Sequence, residues 1–464
     1  MKKIGIVDRP NKDLSKDLLN IYPHAESLSI FIKQCDSPIT IGIQGEWGSG
    51  KTSLMYLIQN SLKEKDSSDH KVLSVWINAW EHSLFSSPQD ILFKVLSDLV
   101  NQILPHTSKP AQFGDNFKKR MKSIATGTMK FASLALVGEG GDRVVGDMLN
   151  FDNNNIKKTR QELEQLTSGL IDDESPIQKI VVYIDDLDRI DPVDAVSLLE
   201  LLKNVFDIDN CVFVLAIDYE IVVKGLKEKF GQFSDDTGDS EFRAYFDKII
   251  QLPFMMPIGQ YDIGRYVRSL LIETGFLEEE QRYDAEIKEI LSYTIGGNPR
   301  SLKRLVNSLS LIDIFAKVRD DIDDIEQEED LLLFALICMQ IEFPKIYSVL
   351  VDNSDFRKWN QKETAFTVTK KKEEKNKDRF LEDFRIASLS DEFNEEWEKA
   401  LFRICYNDNR LKKYSTNISR LLSFIDKNIL SDKNQKETTE WIEKVVQKTL
   451  VTNVKRGILD IEEA

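Results

Sequence analysis

The chain has 464 residues, 41% of them hydrophobic and 30% charged, with a net charge of −16. This is the profile of a globular protein of about two to four domains. The acidic balance disfavours non-specific nucleic-acid binding, which requires compensating Lys and Arg. No apolar run reaches the ~18 residues of a membrane span, and MKKIGIVDRPNKDLSKD has no apolar signal core, so a cytoplasmic location is expected. Cys35, Cys211, Cys338 and Cys405 form no CxxC pair, and the four histidines show no zinc spacing. Reduced core thiols are expected.

In chain order, residues 1–38 read as an arm and one helix, with helical apolar spacing over Ile21 to Ile32. SPITIGIQG is a short β-rich run ending on glycine, and a helix is expected from Lys51 to about Lys65. VLSVWIN, Val72 to Asn78, reads as a second strand. A helix follows Ser-Ser-Pro. Residues 107–156 are rich in Gly, Lys, Ser and Asn with weak periodicity, and read as an insertion. KTRQELEQLTSGLIDD looks helical. KIVVYIDDLDRI contains a nearly continuous apolar run, Ile180 to Ile184, of the kind that buried parallel strands show. DPVDAVSLLELLKNVF is a helix with Asp191 as N-cap and Pro192 in its first turn. CVFVLAID is a fourth strand, YEIVVKGLKEKFG a helix closed by Gly231, and the QLPFMMP end of EFRAYFDKIIQLPFMMP a fifth strand. Helices are expected over Tyr261–Thr274, Asp284–Tyr293, Ser301–Val318 and Glu328–Leu350. The charged run within 361–380 reads as a solvated loop, and the last 80 or so residues as amphipathic helix. Strands alternating with helices, then helices alone, predict an α/β domain with a helical C-terminal part.

The chemistry begins at Gly45-Glu46-Trp47-Gly48-Ser49-Gly50-Lys51-Thr52, a GxxxxGKT phosphate loop between a strand and a helix. Its glycines turn backbone N–H groups toward phosphate oxygens, and the following helix adds its positive end. Lys51 would reach the β- and γ-phosphates and the Thr52 hydroxyl would bind Mg²⁺. Ser53 completes the set. At the end of the apolar strand, Asp185 would orient Mg²⁺ and Asp186 polarise the attacking water, an acid that a hydrolase needs. Asp188 reads either as functional or as a surface acid leading the helix. Arg189 either acts on a neighbouring subunit's nucleotide or pairs with its acidic neighbours. Two strand–helix units separate Lys51 from Asp185, so an additional strand lies between them in sequence. Asp218 ends the fourth strand, to sense the γ-phosphate or cap the next helix. Arg300 and Arg304 lie four apart on one helix face, facing either phosphate or solvent. Trp76, Trp80 and Phe85 read as core or ledge aromatics, and Asn78 or Glu81 would approach the nucleotide water.

Together these motifs resemble the KAP P-loop NTPases. GEWGSGKTSL is similar to that family's phosphate loop, including Glu46 and Trp47. VWINAWEH, VVYIDDLDRI, YFDKIIQLPFMMP and GNPRSLKRLVN resemble its later signatures, in order. The resemblance spans about residues 4–315. It implies an additional-strand (ASCE/STAND-like) P-loop NTPase with a mostly parallel sheet, an α-helical lid and a helical C-terminal domain. The expected domains are 1–38, 39–258, 259–318 and 319–464. The resemblance also implies ATP and Mg²⁺ as cofactors. Many members carry transmembrane helices in the slot that 107–156 fills here, and this segment is not apolar enough to span.

An ATPase switch is therefore expected, in anti-phage defence or signalling, with self-association and a partner effector on another chain. Peripheral membrane contact stays open. The alternatives are a nucleotide-holding scaffold, which predicts a damaged Lys51 or Asp186, and a DNA-stimulated motor, which predicts a basic channel. Lys51 and Asp186 are both intact, and the net charge argues against the motor.

Overall fold

The computed structural model describes residues 4–64, 71–83, 88–107, 153–171, 176–205, 207–230, 245–278, 283–318, 327–360, 382–386, 393–406, 408–431 and 435–449. Phe85, Gly231, the charged 361–380 run and most of the 107–156 insertion lie outside these residues. The chain divides into two compact units. One comprises Pro10–Pro257; the other joins Met1–Arg9 to Ile258–Ala464.

The Pro10–Pro257 unit carries five strands: β1 (Ile39–Gln44), β2 (Lys71–Asn78), β3 (Ile177–Asp185), β4 (Cys211–Ile217) and β5 (Leu252–Met255). All pair in parallel, in the order β2-β3-β4-β1-β5. Its helices are α1 (Tyr22–Gln34), α2 (Lys51–Glu64), α3 (Ala79–Ser83), α4 (Pro88–Ile103), α5 (Asn153–Ser168), α6 (Pro192–Val205) and α7 (Tyr219–Phe230). Parallel strands need crossover connections, and the helices that make them cover both faces of the sheet. That is why β4 is buried at every position and β3 from Ile180 to its end. Alternate residues serve opposite faces. Ile180, Val182 and Ile184 of β3 and Phe213, Leu215 and Ile217 of β4 join one core with Val95 and Leu99 of α4, Leu163 of α5, and Val196 and Leu199 of α6.

On the opposite face an aromatic column ties α2 to the sheet. Tyr56 stacks on Trp76 with centroids 4.2 Å apart, and Trp76 stacks on Tyr183 at 4.9 Å. β2 is the edge strand beyond β3. The Gln102 amide brackets the Trp76 backbone there, accepting from its N–H at 3.1 Å and donating to its carbonyl at 2.6 Å. This satisfies edge groups that no further strand pairs. Asp191 caps α6 as expected, accepting from Val193 N–H at 3.0 Å. Lys179 of β3 donates to the Ile32 and Cys35 carbonyls at 2.8 and 2.7 Å and closes the C-terminus of α1.

The other unit is helical: α8 (Ile263–Thr274), α9 (Asp284–Tyr293), α10 (Pro299–Val318), α11 (Gln327–Glu342), α12 (Pro344–Asp352), α13 (Glu396–Tyr406), α14 (Asn409–Phe424) and α15 (Gln435–Thr449). α11 is its central element, with every residue from Leu332 to Met339 at most 1% exposed. The single helix expected over Glu328–Leu350 is two. Pro344 has no N–H to continue α11 and disfavours helical backbone at Phe343, which leaves the α region at φ −123°, ψ 59°. The helix expected from Ser301 begins at Pro299, because Asn298 caps it by accepting from the N–H groups of Arg300 (3.1 Å) and Ser301 (3.4 Å). Asn-Pro at this point is an N-cap followed by the one residue type suited to the first helical position.

Among the described residues no helix is long and apolar enough to cross a membrane. All four cysteines are free thiols, with Cys211, Cys338 and Cys405 buried and Cys35 half-buried. Burial pushes the thiols of Cys211 and Cys405 up to about 12, so they are poor nucleophiles. Titration of the native protein with an aromatic disulfide reagent is expected to label Cys35 first and the other three only after denaturant. Rapid native labelling of two or more thiols would contradict this packing.

Candidate functional site

Because β1 to β4 all run in parallel, their C-terminal ends gather at one edge of the sheet. Asn78 pairs in register with Asp185, and Gln44 with Ile217, the residue before Asp218. Ligands of open parallel sheets bind at such an edge. The acid strand β3 is separated from the loop strand β1 by β4. The strand between loop and acid in sequence, β2, lies at the far side of β3.

Gly48 and Gly50 have φ of 86° and 102°, a region that only glycine enters freely. Gly45 is held by space instead. A Cβ there would stand 2.7 Å from Ser49 Oγ and 2.9 Å from Met256 Cγ. The loop is pinned at its start by Gly45 N–H donating to the Ile217 carbonyl at 3.2 Å, and turned by Ser49 N–H donating to Glu46 O at 3.1 Å. α2 begins at Lys51. Trp47 projects from the loop and is 60% exposed. The Ser53 hydroxyl accepts from Asn11 N–H at 3.0 Å.

Lys51 is folded back over this loop and buried. Its ammonium donates to the carbonyls of Gly45 (2.8 Å) and Glu46 (3.2 Å) and to Asp188 Oδ2 (2.8 Å). The two charged side chains are only 7% and 6% exposed. The alternative that makes Asp188 a surface acid is excluded. It sits on the single 3-10 turn Leu187–Arg189, which brings it back toward the loop.

Asp185 is buried, and burial raises its carboxyl above the usual carboxylate range. The Thr52 hydroxyl donating to it opposes the rise, while the charges of Asp186 and Asp188 add to it. Thr52 and Asp185 thus place a hydroxyl and a carboxylate together, the oxygen donor set that a hard divalent cation takes. Among the described residues no three His, Cys, Asp or Glu side chains group into a metal site. A cation here would rely on this pair together with the nucleotide and water.

Asp186 adopts left-handed backbone at φ 59°, a conformation that Asp tolerates better than most residues. Both of its carboxylate oxygens are held. Asn78 Nδ2 donates to Oδ2 at 3.0 Å, and Arg189 Nε lies 2.7 Å from Oδ1. Asn78 is itself fixed, since its Oδ1 accepts from Glu81 N–H at 3.2 Å at the start of α3. The Glu81 side chain is exposed. Arg189 also lies over the Trp80 ring, 5.2 Å from its centroid. Asp218 caps α7 through Glu220 N–H at 3.0 Å. Burial raises its carboxyl, with the nearby Lys51 charge pulling the other way.

Arg300 and Arg304 lie on α10, in the other unit. There Arg300 is ion-paired with Asp8 of the N-terminal arm, and Arg304 is exposed.

A family model described as the KAP family P-loop domain matches residues 22–315. Over 276 residues the chain is 26% identical to the phage T7 exclusion protein of Escherichia coli (strain K12), covering 54% of this chain and 34% of that protein. The match thus spans about a third of that relative's length. Among solved structures, the Aeropyrum pernix ORC2 protein in ADPNP–ADP complexes aligns with 97% of this chain and 98% of its own, at 14% identity and a TM-score of 0.36. The Aeropyrum pernix ORC1 protein in complex with DNA aligns with 89% of this chain and 85% of its own, at 13% identity and a TM-score of 0.35.

The buried Asp185 carboxylate has a stability consequence. A group whose folded pKa is raised destabilises the fold once pH rises above its unfolded value. Asp185→Asn is therefore expected to raise the thermal midpoint at pH 7 by about 2–4 °C, the shift that ~1 kcal/mol produces in a domain of this size. The gain should shrink as pH falls into the ordinary carboxylate range, because the native carboxyl takes up its proton at higher pH than the unfolded one. A midpoint unchanged or lowered at pH 7 would show that the carboxylate is held comfortably.

Proposed function

The chain belongs to the KAP family of P-loop NTPases, and we propose that it binds and hydrolyses ATP with Mg²⁺ as a conformational switch. The observation that carries this reading is the meeting of an intact phosphate loop with an oriented second acid. Lys51 heads α2 at the same sheet edge where Asp186 is held by Asn78 and Arg189. A protein that only stored nucleotide would have no need of Asp186.

Each residue takes a definite role. The N–H groups of Gly45 to Thr52 cradle phosphate oxygens, with Glu46 and Trp47 shaping the loop. Lys51 exchanges the Asp188 carboxylate for β- and γ-phosphate oxygens. Thr52 and Asp185 would hold Mg²⁺, which would neutralise charge on the phosphates. Asp186 accepts the proton of the attacking water, its carboxylate aimed by Asn78. Asp218, beside Lys51, reports the γ-phosphate. Arg189 exchanges its bond to Asp186 for the transferred phosphoryl group on a neighbouring subunit, where it supplies positive charge.

The phage exclusion protein among the relatives supports a role in anti-phage defence. We assign the output to a cytoplasmic partner or effector chain, bound by the C-terminal helices and reached through self-association.

The switch reading makes separable predictions. Lys51→Ala should abolish binding of a fluorescent ATP analogue. Asp186→Asn should bind it normally and lose about 10²–10⁴-fold in turnover. Equal turnover in both variants and the wild type would sink the ATPase reading. Strong stimulation of turnover by DNA would favour a motor instead. In a plaque assay, protection that survives Lys51→Ala would remove the link between ATP and defence.

Asn78→Ala tests the aim of Asp186 by itself. It should lower kcat about tenfold or more with little change in KM, because a misplaced base costs rate rather than ground-state binding. Normal turnover in this variant would reject the role.

A further inference from the structure

A lysine ammonium has three N–H donors and no more. Lys51 has committed all three, to the carbonyls of Gly45 and Glu46 at 2.8 and 3.2 Å and to Asp188 Oδ2 at 2.8 Å. To hold β- and γ-phosphate oxygens it has to surrender bonds that it already makes. Which partner it surrenders decides how tightly nucleotide is held. Two of the three are neutral carbonyls of the loop that a phosphate enters. The third is a carboxylate.

Three observations single out that carboxylate. Its charge reaches across the sheet edge: burial raises the carboxyls of Asp185 and Asp218, and the Asp188 charge adds to the rise in both. A phosphate brought to Lys51 meets the same charge at close range, where water screens it little. Its hold is also single. Among the described residues Lys51 is the one partner of the Asp188 side chain, whereas Asp186 is bonded through both of its oxygens. Last, Asp188 is carried on the 3-10 turn Leu187–Arg189, beyond the end of β3 at Asp185. It can turn aside without breaking a strand pairing.

We propose that Asp188 is an internal competitor for phosphate, a latch that closes on Lys51 whenever the site empties and sets both nucleotide affinity and the rate of product release. This rests on the reading that the loop binds ATP, and it lies wholly within the Pro10–Pro257 unit. When ATP binds, Lys51 turns its donors to phosphate oxygens and Asp188 swings aside. Once the γ-phosphoryl group has left, Lys51 has a donor to spare and Asp188 returns to it. Its charge then faces the remaining phosphates and favours their departure. Affinity is lowered as a result, because only the molecules with Lys51 released bind at full strength.

Stopped-flow binding of fluorescent ATP and ADP analogues to the full chain, with Mg²⁺, tests the latch. Asp188→Asn removes the charge but keeps an amide oxygen that still accepts from the ammonium. It should bind the ATP analogue about tenfold tighter than the wild type, the gain for a latch closed in about nine molecules of ten, and release the ADP analogue about threefold more slowly. Asp188→Glu keeps the charge and should stay closer to the wild type in both measurements. Asp188→Ser carries the test if Asp188→Asn does not fold. Glu220→Gln removes an exposed charge from the start of α7 and should leave the ATP affinity within about twofold. A gain there equal to that of Asp188→Asn overturns the latch in favour of general repulsion. Unchanged or weaker ATP binding in the Asn and Ser variants, beside a wild type that binds, overturns the latch and leaves the ATPase reading standing. A wild type that binds neither analogue overturns both.

Discussion

A buried ammonium has to be neutralised, and the nucleotide end of this protein is arranged around that requirement. Lys51 is 7% exposed, and leaving such a charge without partners would cost several kcal/mol. It gains two loop carbonyls and the Asp188 carboxylate. The carbonyl bonds tie the ammonium to the start of the loop, and the carboxylate neutralises its charge. The lysine thus joins the loop to the turn that follows the acid strand. A cluster of three acids, Asp185, Asp186 and Asp188, is tolerable here because each meets a different donor: Thr52, then Asn78 with Arg189, then Lys51.

That arrangement depends on the sheet. Parallel pairing aligns the ends of β1 to β4, and burial on both faces keeps those ends from shifting independently. The Tyr56–Trp76–Tyr183 column adds a connection from α2 to β2 and β3. It links the helix that starts at Lys51 with the strands that end at Asn78 and Asp185. The Asn-Ala-Trp signature has two jobs as a result. Asn78 orients the acid and caps α3, and Trp80 supports Arg189.

In the helical unit the Asn-Pro-Arg motif is a helix start before it is anything else. Asn298 satisfies the first N–H groups of α10, and Pro299 takes the position that needs none. Arg300 then stands in the first turn, where Asp8 meets it. A carboxylate is favoured there, both by the guanidinium and by the positive end of the helix.

Much of this was legible in the chain. Glycine spacing before Lys-Thr specifies a phosphate loop, because only glycine allows the backbone of Gly48 and Gly50. The unbroken apolar run ending at Asp185 specifies a strand buried on both faces. These are local constraints, set by backbone sterics and by hydrophobic period. The sequence also showed a second strand between loop and acid, but not that β4 is the one that separates them in space, since strand order follows from how the crossovers pack. Asp188, read as a choice between function and surface, became the partner of Lys51 only through the turn at Leu187–Arg189. The halt at Pro344 is a local signal too, because proline has no N–H to continue the helix. The pairing of residues 6–8 with Arg300, Lys303 and Asn307 had no local signal at all. Ion pairs and main-chain brackets between residues some 300 positions apart leave no periodicity. They exist because folding brings the groups together, and that was decided only by the tertiary structure.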